Sequence, residues 1–529
     1  MKHLLTFLLI FFCHFVYSQT FEWVKSFSCS EEVEIKKIIH LDDNSTIVSG
    51  NYEGVLNYNS QSVSSIGNKD FFICKIDSLG DLFWMKSFGG FDDVEIEDFS
   101  VSPSMDIFMC GTFEGNIFLD AISLNNNSNK NAFLARLNSL GDVLWAKNFD
   151  CSSDVEANSI ELNHLNNTLF FVAVFENVVT FDSISLTAFG NSSLLFSCFN
   201  SQGSILWYNE VSCQDEIKST SIKYDQFGNI YCLGTFEGNI FYQSNVISNN
   251  SNKDVFLLKS DSTGALVWYK TVGGSDDVEA SNLFISDTCM YYTGIFSGNA
   301  IFQNNTVTSY GDEDGFMVCH SFDNNEYWLT TLNSNDDVSP NEIVVDSSNN
   351  IYLIGSMKSD TYFGNTIVQN SSGEDMFICK YDYLGNVHWV KATGATEDIE
   401  GISITLTNDE NLIFSGNFEG TGFFDSITLA SLGEKDAFIG KLNKNESGSL
   451  YIDKLKSKIS LFPNPTEDLI TLEIEEYNGP VSIKVYDLTG KLLESTTHTT
   501  ISMGEYAKGI YVFKVNYGDV SEEVRVVRE

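Results

Sequence analysis

The seven tryptophans of the chain are Trp23, Trp84, Trp145, Trp207, Trp268, Trp328 and Trp389, and successive ones stand 60 to 62 residues apart. So regular a spacing means one supersecondary unit repeated along the chain, each copy burying its apolar surface against the next. Every repeat has the same order of parts. Trp lies in a short alternating run, an acidic cluster follows, and then come an Ile/Val run such as "EIVVDSS" (342–348) and, after a polar turn, a run such as "NIYLIGS" (350–356). An Asn/Ser/Gly-rich stretch, expected to be a loop, leads to "EDMFICKYD" (374–382), and a turn such as "DYLGN" returns the chain to Trp. Period-two patterning between Gly/Asn/Asp turns predicts four antiparallel strands per repeat and no helix. Four-stranded units repeated in this number predict an all-β fold, a seven-bladed β-propeller over residues 19–449 with repeats of about 61 residues.

The ends of the repeat region fit together. "FEWVKSF" (21–27) is a Trp strand with nothing before it, and "KDAFIGKLNKNESG" (435–448) lacks the Trp strand that should follow. The N- and C-terminal strands are therefore expected to close one blade, which hides edges that would otherwise template aggregation. The portions "DVFLLKSDSTGALVW" and "NIYLIGS" resemble the seven-bladed propeller repeats of exported bacterial proteins, over roughly residues 21–449. That resemblance implies a fold and little about activity. The third repeat departs most, with Ala173 where the others carry Gly50, Gly111, Gly234, Gly294, Gly355 and Gly416. A glycine inside a strand permits close backbone approach or a bulge. The Trp ring, present in every repeat, is read as packing between blades and not as a sugar-stacking platform.

With the strands named a to d from the channel outward and Trp in strand d, the acidic cluster is the crossover from one blade's rim to the next blade's channel side. Nine residues after each Trp stands an acid: Glu32, Asp93, Asp154, Glu216, Asp277, Asp337 and Asp398. The residue before it is Glu31, Asp92, Asp215, Asp276, Asp336 or Glu397, and Ser153 in the third repeat. Two readings stand. Asp bonds nearby backbone N–H groups and suits a tight crossover. Alternatively the pairs Asp92–Asp93, Asp276–Asp277 and Asp336–Asp337 supply carboxylate oxygens to calcium, which takes six to eight oxygen ligands. The spacing is not that of an EF-hand loop.

The formal charge is −42, nearly all of it before residue 456. Such a field repels nucleic-acid phosphates and anionic membranes, so no nucleic-acid partner is expected. It serves solubility outside the cell or attracts cations. "MKHLLTFLLIFFCHFVYSQT" has a basic start, an apolar middle and a small residue at Ser18, so residues 1–18 are expected to be a secretory signal peptide. No later run is apolar for long enough to span a membrane. Ten of the eleven cysteines follow it. Most lie in strand-like runs of separate repeats and read as small buried residues. Cys151 and Cys213, in equivalent loops of neighbouring repeats, are the one pair placed for a bridge.

Residues 450–459 read as a linker. From residue 460 the alternating runs "LITLEIEE", "VSIKVYDLTGKLLES", "GIYVFKVNYG" and "EEVRVVRE" predict a small Ig-like β-sandwich over 460–529. "LFPNPTEDLITL", "IKVYDLTGK", "GIYVFKV" and the ending "VRVVRE" resemble the type A C-terminal sorting domain of the type IX secretion system. The resemblance implies inner-membrane passage by the signal peptide, then outer-membrane export through the type IX machinery directed by the tail. The product would be released or held at the cell surface.

His40, His164, His320 and His388 are scattered and join no nucleophile or zinc pattern, and paired carboxylates that recur in every repeat look like architecture. A binding module for a glycan, protein or matrix ligand is therefore expected, with a polysaccharide-acting enzyme or a structural surface protein as the alternatives.

Overall fold

A computed structural model describes residues 19–444, save 127–128, 250–251, 304 and 372, and much of 459–528. The signal peptide and the linker expected at 450–459 lie outside the described residues, apart from Ile459. The described residues divide into two compact units, 19–444 and the tail from residue 459.

The first unit is built of seven four-stranded antiparallel sheets. Their inner strands are Glu32–His40, Val94–Val101, Val155–Asn163, Ile217–Tyr224, Val278–Ile285, Val338–Val345 and Ile399–Leu406, which define blades 1 to 7. Each inner strand packs beside those of the blades before and after it, and the first meets the seventh, so the ring is closed. Blade 7 takes its outer strand from the start of the chain: Thr20–Cys29 pairs with Asp436–Asn443, Trp23 opposite Lys441 and Phe27 opposite Ala437. The expected closure is the observed one.

Burial explains the sequence pattern. Strand c lies between two neighbours in its sheet with a blade on either face, so all of "DVFLLKS" in blade 4 is buried. Strand d sits at the rim, and "LVWYKTVGG" alternates between exposed and covered residues. Interblade contacts are aromatic where the repeats are richest in Phe: Phe71 of blade 1 stacks on Phe133 of blade 2 with ring centroids 5.7 Å apart. Burying a Phe contributes roughly 1.5–3 kcal/mol, and each blade adds several.

The Asn/Ser/Gly-rich stretches are not the loops expected. In blades 2 to 7 each begins with a two-stranded hairpin, Asn116–Leu119 with Ile122–Asn125 in blade 2, and blade 1 extends strands b and c into the same shape. Asp120, Asp182, Gln243 and Asp425 open the tight hairpin turns at φ of 50° to 56°. The hairpin edge then pairs with strand d of the preceding blade, as Gly89 with Phe118. The short apolar alternation in "NIFLDAISL" signals this, but the flanking Asn-rich residues mask it.

The tail has a three-stranded sheet (Ile459–Phe462, Leu469–Ile474, Thr500–Ser502) and a four-stranded one (Val481–Asp487, Leu492–Thr496, Gly509–Tyr517, Val520–Arg528). Ile470, Leu472 and Ile501 of the first bury against Ile483, Val485, Phe513, Val515 and Val526 of the second. This is the expected β-sandwich.

Candidate functional site

All seven inner strands carry a bulge at the same place. The ladder to strand b slips by one residue between Ile35 and Lys37, Ile96 and Asp98, Ala157 and Ser159, Ser219 and Ser221, Ala280 and Asn282, Pro340 and Glu342, and Gly401 and Ser403. In six blades a strand-b glycine stands opposite it. A Cβ on Gly50 would lie 2.3 Å from the Glu34 carbonyl oxygen and 2.7 Å from the Phe72 ring. Blade 3 keeps the bulge with Ala173 opposite Ala157. Close backbone approach and bulge are thus one device, and a bulge re-aims side chains and leaves its extra residue unpaired.

Here the side chain following the bulge caps the next blade's inner strand. Asp98 Oδ2 accepts from the Ile160 N–H at 2.9 Å, Ser159 Oγ from Ile222 at 3.2 Å, Asn282 Oδ1 from Ile343 at 3.4 Å, Glu342 Oε2 from Ile404 at 2.7 Å and Ser403 Oγ from Ile38 at 3.1 Å. Lys37 cannot accept. It reverses the relay, donating to the Phe99 carbonyl at 2.9 Å and pairing with Asp98 at 2.5 Å.

These positions line a cavity of about 300 Å³ at the centre of the ring, to which every blade contributes. Its frame repeats and its lining does not. Lys36 and Lys37 lie beside Glu97 and Asp98, Lys223 pairs with Glu161 at 3.0 Å, and Glu342 stands on the sixth blade. Burial pushes the Glu97 and Glu342 carboxyl groups above the usual carboxylate range. Burial opposes the Lys37 charge, but Asp98 and then Glu161 outweigh it and hold the amine above its ordinary value. Sequence reading missed this ring, because alternation alone does not show which residue of a bulged strand turns inward.

The six candidate calcium ligands fall in three separate crossovers and are not brought together as a set. Asp92 packs on Gly115 and Asp276 on Gly298, glycines of the hairpins held at φ +58° and +60°. The Asp93 carboxylate accepts from the Lys69 N–H of the preceding blade at 3.3 Å, as Asp398 does from Glu374 at 2.9 Å. The backbone oxygens of Asp93, Asp277 and Asp337 accept from Glu114, Ser297 and Lys358 at 2.8 to 3.0 Å. Four junctions add a Lys–Glu pair, for example Lys69–Glu95 at 3.2 Å and Lys253–Glu279 at 2.7 Å. The cluster therefore sews blade to blade. At Asp336 and Asp337 a third carboxylate, Asp312, joins, and oxygens of the three lie within 4.8 Å of one another. Lys358 already pairs with Asp337 there at 2.8 Å. Asp312 precedes the crossover by more than twenty residues, so spacing did not reveal it.

The tryptophans pack between blades. Trp23 Nε1 donates to the Ser78 carbonyl at 3.2 Å, and a Cβ on the turn glycine Gly80 would meet the Trp23 ring at 2.8 Å. Trp145, Trp207 and Trp328 repeat the bond. Cys151 and Cys213 form no bridge: each thiol donates to the residue just after the next blade's strand b, Cys151 to the Glu176 carbonyl at 3.0 Å and Cys213 to that of Glu237 at 3.1 Å.

His320 is not isolated. It replaces a core residue of blade 5, and its Nε2 lies 2.9 Å from Lys270 Nζ while Nδ1 faces the Ser321 carbonyl at 3.0 Å. Glu326 Oε2 is 3.8 Å from the same amine, which lines a cavity of about 660 Å³ with Ile301, Gln303 and Asn324. Burial lowers Lys270 to about 8, and burial followed by the Lys270 charge lowers His320 to about 4. The neutral ring thus accepts from the ammonium, while Glu326 Oε2 and Asn324 Oδ1 are buried without a hydrogen-bond partner.

Among the described residues no helix is long and apolar enough to cross a membrane. The chain is 21% identical over 450 residues to an uncharacterized WD repeat-containing protein, L264, of Acanthamoeba polyphaga mimivirus; the match covers 68% of this chain and 32% of that protein, so the chain spans about a third of the length of the curated relative it matches. Among solved structures it is similar to PorZ, described as an essential bacterial surface component of the type IX secretion system of Porphyromonas gingivalis, at 11% identity over 95% of this chain and 99% of that one with a TM-score of 0.17. It is also similar to a phage phi92 endosialidase, at 11% identity over 96% of this chain and 88% of that one with a TM-score of 0.36. Neither likeness is strong enough to carry an argument about the site. Residues 460–528 match the secretion system C-terminal sorting domain, and this tail marks the chain for secretion to the cell surface or the extracellular space.

Proposed function

We propose that the propeller is a secreted or cell-surface binding module for a glycan, protein or matrix ligand, delivered by the type IX machinery, and that a polar group of the ligand enters the central channel. One observation carries the reading. The bulge that holds the channel recurs in all seven blades and the glycine opposite it in six, whereas the side chains they present differ from blade to blade and carry both signs of charge. A repeated frame with an unrepeated polar lining suits recognition of one asymmetric ligand. Hydrolysis by the paired acids finds less support, because the second carboxylate of the pair is engaged by backbone N–H groups or lysine where its partners are defined. The test is binding of the mature chain to glycan and matrix-protein arrays, followed by titration of the hits. Lys36, held to Glu97 only at 3.9 Å, is the residue to change. Lys36→Glu is expected to weaken binding at least tenfold at an unchanged melting temperature. Absence of any ligand at micromolar concentration overturns the binding role, and full-strength binding by Lys36→Glu overturns the seat.

A further inference from the structure

Blade 5 departs from the repeat at one more pair of positions. Where strand c faces Trp across the ladder, the other blades carry Lys or Arg in five cases and Cys198 in the sixth; blade 5 carries Cys319. The residue just before strand b is Asn229, Asn350 and Asn411 in blades 4, 6 and 7, and Cys289 in blade 5. The ladder aims these two positions at each other. In blade 2 they hold Asp106 and Arg136, whose side chains meet at 2.7 Å. In blade 5, Tyr291 pairs with Cys319, so Cys289 is the diagonal neighbour of Cys319 on the same face. Both thiols lie in one core cluster and share a hydrogen bond.

We infer that Cys289 and Cys319 close a disulfide in the exported protein. The sorting tail sends the chain out of the reducing cytoplasm, and disulfides form and persist in such compartments. Both thiols are free in the structure, and diagonal neighbours stand about 7–8 Å apart against the roughly 4.4–6.8 Å between bridged Cα atoms, so closure draws the two strand ends together. The oxidant is a protein or small-molecule disulfide. The Cys289 thiolate attacks one of its sulfurs and expels a thiolate. The Cys319 thiolate then attacks the Cys289 sulfur and expels the second. The two protons end on the expelled thiols, so two thiols are oxidised and one disulfide is reduced. Cys289 is the attacking residue. It ends a turn, with the Thr288 and Ser286 hydroxyls 3.7 and 3.6 Å from its sulfur. The hydrogen bond from Cys319, then those from Tyr291 and these hydroxyls, hold its thiol below the usual range against burial, and a thiolate is the nucleophile in exchange.

The full mature chain, collected from the cell surface or the medium and quenched in acid, is unfolded in denaturant with an alkylating reagent and no reductant. Cys289 and Cys319 are expected to stay unlabelled while the other eight cysteines of the mature chain react. Proteolysis should give a linked pair of peptides that separates on reduction. Labelling of Cys289 and Cys319 without reductant overturns the bridge. Cys289→Asn, the residue of blades 4, 6 and 7, is the second measurement. Reductant should lower the melting temperature of the wild type by several degrees and leave this variant unmoved. An equal effect on both also overturns the proposal.

Discussion

Phe27 stacks on Tyr58 with ring centroids 4.0 Å apart and 19° between the planes. The pair joins the strand that completes blade 7 to the extended hairpin of blade 1, so it sits at the junction of these two blades. Phe27 is fully buried and also meets Phe72 at 5.2 Å. Phe27→Ala should cost about 3–5 kcal/mol in denaturant unfolding, the range for emptying a buried aromatic site. A loss below about 1 kcal/mol would mean that the closing strand contributes little to stability.

The channel ring makes a second prediction. Asp98 serves two blades, accepting from Ile160 and Ser159 and pairing with Lys37. Removing one partner of a buried pair costs about 3–5 kcal/mol, because a charge is left without its counterpart. Asp98→Ala should fall in that range. In the background of Lys37→Met the same change should cost clearly less, since no buried ammonium is then stranded. A double-mutant cycle with zero coupling refutes the pairing.

Much of this architecture is legible in the sequence, and the reason is repetition. Seven Trp at one spacing fix the strand order, and the orphan strand at "FEWVKSF" forces closure. The strand glycine points to a bulge or a close approach, and Gly50 against Glu34 is both. What fails to show is whatever breaks period two or depends on position across the ring. The bulge shifts the phase of the residues that follow it, so the Lys37–Asp98 pairing is invisible, and Asp312 meets Asp336 only through folding. His320 and Lys270 come from different blades and touch because strand d of one blade packs on strand c of the next.

Asp70 predicts a pH dependence. It is fully buried, and burial pushes its carboxyl up to about 6, although Ile66 and Gly90 N–H groups bond to it. Burial also raises Asp314, Asp375 and Asp436 at the same ladder position. A native value above the unfolded one, about 3.9, means the folded state holds the proton more tightly. The contribution to stability is complete below about pH 4 and is lost as pH rises through about 6. Blade 2 carries Asn131 here, so Asp70→Asn should fold. Relative to wild type it should gain about 1–2 kcal/mol between pH 4 and pH 7, since each pKa unit is worth about 1.4 kcal/mol before screening is discounted. Parallel stability curves for the two proteins would exclude a raised Asp70.

Calcium is tested by a melt of the mature chain in EDTA and in millimolar calcium. The carboxylates of Asp93 and Asp337 already accept from Lys69 and Lys358. The melting temperature should therefore move by no more than about a degree, whereas a bound ion at a hundredfold excess over its Kd would add about 2.7 kcal/mol. A rise of several degrees that Asp336→Asn abolishes would assign the ion to Asp312, Asp336 and Asp337 instead.

The tail predicts the last step of the route. Residues 460–528 match the sorting domain and fold around their own core of Ile470, Ile483, Phe513 and Val526. The propeller closes on itself through Thr20–Cys29 and Asp436–Asn443, without any tail strand. Deleting residues 460–529 should therefore leave the propeller folded, with an unchanged melting temperature, while the protein accumulates in the periplasm of a host that carries the type IX system. Fractionation with immunodetection reads the outcome. Undiminished appearance of the truncated chain at the surface or in the medium would show that export is addressed by something in the propeller. Phe513→Asp, placing a charge in the tail core, should mimic the deletion, because an unpaired buried carboxylate costs more than a domain of this size can spare.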